Sequence, residues 1–118
     1  MTLGELLPAL RTASTDPVVT GLTVVVEQWK SDTASVEDLR DTVERYIGNT
    51  WIASDKEHEE AYRIWSMFRD ETIDGRLAMT MNERLFTFDL FERYDASPNQ
   101  EEKAVVLRKV DHENTSKS

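Results

Sequence analysis

The sequence predicts an all-α, single-domain bundle of five or six helices, packed around a central helix at about residues 80–95. Three observations carry that prediction. Apolar residues recur at helical spacing in five segments. Most of those segments open on a Ser, Thr, Asp or Asn followed three residues later by an acid, the pattern that caps a helix start. A length of 118 residues is one domain by size and buries roughly 65% of its unfolded surface. The domain is expected over residues 1–110, with a polar, disordered tail at 111–118.

In order, Thr2 and Glu5 have the spacing of a capping box. Pro8 is expected to shorten, kink or restart that first helix, because proline removes an interior donor. Residues 11–15 read as a loop. Asp16-Pro17 then supplies an N-cap and a proline at the first helical position. Val18, Val19, Leu22, Val25, Val26 and Trp29 follow at helical spacing, which argues against the strand that so many valines would otherwise suggest. Ser35 and Asp38 open a third helix with the stripe Val36, Leu39, Val43, Tyr46 and Ile47, closed by Gly48-Asn49. Ser54 and Glu57 open a long helix to about Asp74. Its stripe is Ala61, Ile64, Trp65, Phe68 and Thr72, with Lys56–Glu60 and Glu59–Arg63 as exposed i,i+4 pairs.

Residues 80–94 hold four of the ten aromatic residues. Phe86, Phe88, Leu90, Phe91 and Tyr94 fill an arc of roughly 200° on a helical wheel, leaving Leu85 on the polar side. The same stretch alternates from Phe86 to Leu90, as a strand would; the Thr80–Glu83 capping box favours helix. Ser97-Pro98 breaks it. Asn99 and Glu102 cap a last helix carrying Val105, Val106, Leu107 and Val110.

Composition excludes several functions. Without cysteine there is no disulfide, thiolate metal site or cysteine nucleophile. The longest uncharged run, residues 17–26, is half of the ~20 residues that span a bilayer. No base precedes Arg11, so no charged signal start is visible. A cytoplasmic protein without membrane contact is expected. The net charge is −9, and residues 31–75 alone carry twelve acids against five bases. Such a surface repels phosphates, so direct nucleic-acid binding is not expected.

Candidate chemistry is sparse. Asp55 and His58 share a helix face, but a di-metal bundle needs two such pairs and further glutamates, and His112 has a lysine three residues before it. The four glycines are scattered singly, so no phosphate-cradling loop is present, and no nucleophile-elbow motif occurs. Neither catalytic residues, a metal nor a cofactor is expected.

Two features rise above this background. One is the acidic set Glu37, Asp38, Asp41 and Glu44 on one helix with Asp70, Glu71 and Asp74 on the next. It reads either as a solubilising face or as an electrostatic docking surface for a basic protein. The other is a set of apolar loop residues, Trp51, Ile52, Leu77 and Met79, which read as lids on the core. Trp51 has the alternative reading of an exposed interface anchor. The expected function is therefore a non-enzymatic interaction module, an inhibitor, immunity-type protein or adaptor acting by occlusion of a basic partner. A nucleic-acid mimic is the sharper form. A homo-oligomeric structural subunit, or homodimer, joined through Val24 is the alternative from another class.

Overall fold

The computed structural model describes residues 1–111 of the chain. The expected tail lies outside the described residues apart from Asp111. Every described regular element is helical: α1 (Leu3–Ala13), α2 (Pro17–Ser31), α3 (Val36–Asn49), α4 (Asp55–Phe68), α5 (Met81–Thr87), α6 (Phe91–Ala96) and α7 (Gln100–Val110). Between α4 and α5 the chain continues as a π turn (Arg69–Ile73) and a 3-10 turn (Asp74–Ala78).

The expected helix starts are present as hydrogen bonds. Thr2, Ser35 and Thr80 form complete capping boxes with Glu5, Asp38 and Glu83. Asp16 accepts from the Val18 N–H and Asn99 from the Glu102 N–H. Ser54 caps α4, but Glu57 does not close its box. Its carboxylate instead accepts from the Ser14 hydroxyl at 2.5 Å, joining the end of α1 to the start of α4. Pro8 lies inside a continuous α1. Both Pro8 and Gly4, whose carbonyl loses its helical donor, are exposed, so the missing bond falls on the solvent side of the helix.

The central helix expected at residues 80–95 is two short helices. α5 ends in a Schellman motif: the Leu90 N–H donates to the Leu85 carbonyl and the Asp89 N–H to the Phe86 carbonyl. Asp89 takes the left-handed conformation there, at φ 59°, and its carboxylate pairs with Lys30 on α2. The turn keeps Phe88 and Leu90 of the predicted arc inside but exchanges Leu85 for Phe86 and leaves Phe91 exposed. Leu85, Phe88 and Leu90 are buried, whereas Phe86 is 68% exposed.

The core runs instead through α2, α4 and the α5–α6 turn. Trp29 meets Phe88 edge-on at 6.1 Å, Phe88 meets Phe68 at 6.0 Å, and Phe68 meets Trp65 at 5.9 Å. α1 packs on α4 and α2 on α3. The α2–α3 contact requires Gly21, because a Cβ there would collide with the Tyr46 hydroxyl, which donates to the Val18 carbonyl at 2.7 Å.

Three cations enter this core. Lys109 on α7 is buried and donates to the carbonyls of Trp29, Asp32 and Ala34 and to the Asp32 carboxylate, with its ammonium over the Trp29 ring. Burial pushes its pKa down, against the pull of Asp32. Arg84 donates to the carbonyls of Arg76 and Val110, and Arg76 to the Ile73 carbonyl and Glu37.

Candidate functional site

α3 packs against the π turn, so the two groups of acids predicted to form one surface do sit on adjoining elements. Arginines are threaded between them. Arg76 Nη2 reaches Glu37 at 2.6 Å, Arg40 reaches Asp74 at 3.2 Å, and Arg69 binds Glu44 and Asp70 at 2.9 Å each. Glu44 also accepts from the indole N–H of buried Trp65. Asp70, Tyr62 and Glu44 together raise the Arg69 pKa, fixing the guanidinium as a permanent cation.

Of the seven predicted acids, Glu37, Glu44, Asp70 and Asp74 are thus engaged within the fold. Asp38 is exposed, but its carboxylate accepts from the Ser35 N–H in the α3 cap. Asp41 and Glu71 are exposed and make no ion pair or hydrogen bond among the described residues. The face is acidic, yet half-neutralised; Asp41 and Glu71 are its freest charges.

The apolar loop residues divide. Ile52 is buried as a lid, but Leu77 is 58% exposed and Trp51 64% exposed. Trp51 nevertheless has a defined position. Its ring stacks on His58 at 4.0 Å and 22°, and its Nε1–H donates to the Asp55 carboxylate at 3.2 Å. The Ile52 N–H points at His58 Nδ1 over 3.5 Å. Asp55 and His58, the pair with metal-ligand spacing, therefore both face the tryptophan. No group of three or more potential metal ligands gathers among the described residues.

Trp51 and His58 border an open depression of about 420 Å³, with Tyr62, Ile47, Glu59 and Arg63 completing its wall. Arg63 was expected to pair with Glu59. It binds Glu60 instead, through Nε at 3.0 Å and Nη2 at 2.5 Å, and holds that carboxyl below its ordinary pKa. Glu59 is left exposed, with no ion pair or hydrogen bond among the described residues. Behind the depression, toward Val18, Leu22 and Tyr46, the interior gap is only about 10 Å³, at most one water.

Sequence reasoning weighs His58 only as half of a metal pair with Asp55 and does not single out Glu59 and Tyr62 as site residues. The available signal was the i,i+4 spacing of His58 and Tyr62, which places both on one side of α4 beside a loop tryptophan. No helix among the described residues is long and apolar enough to cross a membrane. No protein family, curated protein or solved structure matches this chain at a significant level.

Proposed function

We propose that this chain is a non-catalytic protein-interaction module, of the inhibitor, immunity or adaptor kind, which covers a positively charged surface of a cytoplasmic partner. The observation that carries this reading is Trp51: a 64% exposed indole, held by a ring stack and a carboxylate, on a chain of net charge −9. Ordering a large aromatic side chain in advance lowers the entropy lost on binding, and tryptophan is enriched among residues that dominate interface energies. The free carboxylates of Asp41 and Glu71 add long-range attraction, which acts on association rate and partner choice more than on final affinity. A partner that normally binds nucleic acid is the narrower version, with the acidic face standing in for phosphates.

The test starts with capture of the chain from its native host and identification of stoichiometric co-purifying proteins by mass spectrometry. A basic partner is expected. Its binding is then measured with Asp41→Lys/Glu71→Lys, which leaves the internal ion pairs intact, and with Trp51→Leu. Slower association for the first and faster dissociation for the second are the expected results; unchanged kinetics in both defeats the reading.

Self-association is a second reading, favoured by Val24, which is 50% exposed on α2. Light scattering that finds only monomer at high concentration removes it.

A further inference from the structure

Within that reading, on which the following rests, we propose that the depression beside Trp51 receives one cationic side chain, an arginine or lysine, from the basic partner. An indole face attracts a cation through its quadrupole, more strongly than Tyr or Phe does. His58 stacks on the Trp51 ring, and both Trp51 and Tyr62 line the depression. The Asp55 carboxylate on the indole N–H polarises the ring toward greater electron density.

The charge of the lining matches the same occupant. Glu59 offers a carboxylate with no partner among the described residues. Arg63, the one arginine or lysine in the wall, is held by two bonds to Glu60 and a contact to the Met67 sulfur, so its charge is already compensated. An anion would meet the Glu59 carboxylate, and the Arg63 beside it already shares its charge with Glu60. A wholly apolar side chain would desolvate that carboxylate with nothing in return. A guanidinium or ammonium satisfies both rings and the acid, while its alkyl stem lies on Ile47.

The test follows the Trp51 indole N–H and the Tyr62 ring by NMR while the full chain is titrated with hexa-arginine or hexa-citrulline peptide. Citrulline keeps the shape of arginine and removes its charge. Hexa-arginine should move both signals and hexa-citrulline neither. Trp51→Leu and Tyr62→Leu should each weaken hexa-arginine binding about 2- to 30-fold, the range of a cation–aromatic contact. Tyr62→Phe should retain most of it. Circular dichroism checks that each variant is folded. Equal shifts from both peptides overturn the proposal, since the depression then takes a neutral side chain. Binding of hexa-arginine that moves only Asp41 and Glu71 amides, unchanged by Trp51→Leu, also overturns it but leaves the acidic docking reading standing. Failure of hexa-arginine to bind at all defeats both.

Discussion

The two ends of α3 use the same kinds of residue for opposite purposes. Near its start Glu37 is drawn inward by Arg76, and further along Glu44 by Arg69 and the Trp65 indole, so carboxylates hold the bundle together. Beyond its end, Trp51 is turned outward, and Asp55 and His58 hold the ring on the surface. Trp65 is fully buried, whereas Trp51 is mostly exposed, although each gives its N–H to a carboxylate. An acid in this chain is therefore not by its charge a binding residue, nor a tryptophan by its size a core residue. What separates them is whether the partner group belongs to the fold.

Glu37→Lys should break that comparison most severely. It leaves Arg76, which is 4% exposed, beside a like charge and without its carboxylate. A loss of about 3 kcal/mol is expected in chemical denaturation. A loss under 1 kcal/mol would mean that the inner acids are as dispensable as the outer ones.

Tyr46 gives the next effect, between the two ends. Its phenol is pushed above the ordinary 10.0 by burial and, secondarily, by the charge of Asp16. The folded chain then keeps a proton that the unfolded chain has released, so this contribution is full below about pH 10 and is lost as pH rises through the folded value. Melting temperature should fall in that alkaline range, and Tyr46→Phe should flatten the fall. The same substitution at pH 7 should cost about 1 kcal/mol through loss of the hydroxyl's bond to the Val18 carbonyl.

Trp51→Leu and Asp41→Lys should change stability least, within about 0.5 kcal/mol, because neither touches the core. Iodide quenching sharpens this difference. Trp29 and Trp65 are 4% and 0% exposed, so Trp51 should account for nearly all quenchable emission, and Trp51→Leu should abolish it.

How much of this was legible in the sequence follows from the range of the forces involved. The helix starts were, since a cap joins residues two or three apart: Thr2, Asp16, Ser35, Ser54, Thr80 and Asn99 all cap as their spacing implied. The stripe of α4 was as well, because one continuous face meets one core. The break in residues 80–94 was hidden. A left-handed helix end is usually marked by Gly or Asn, and here an aspartate held by Lys30 takes that place. The regular end of α4 was displaced too: it falls at Phe68, before the π turn that buries both Thr72 and Ile73. At the candidate site, Trp51 could be flagged from its loop position, but the choice between lid and anchor depends on His58 and Asp55 meeting its ring. Likewise, the acidic set could be counted, yet which members are free depends on Arg40, Arg69 and Arg76 arriving from other elements.

The central claim is that the free carboxylates draw a basic protein onto the Trp51-bearing surface. It is tested most directly by the association rate of the captured partner with the wild-type chain and with Asp41→Lys/Glu71→Lys, across a range of salt concentrations. The account predicts a slower rate for the variant and a shallower salt dependence. Identical rates and identical salt slopes for the two proteins would contradict it.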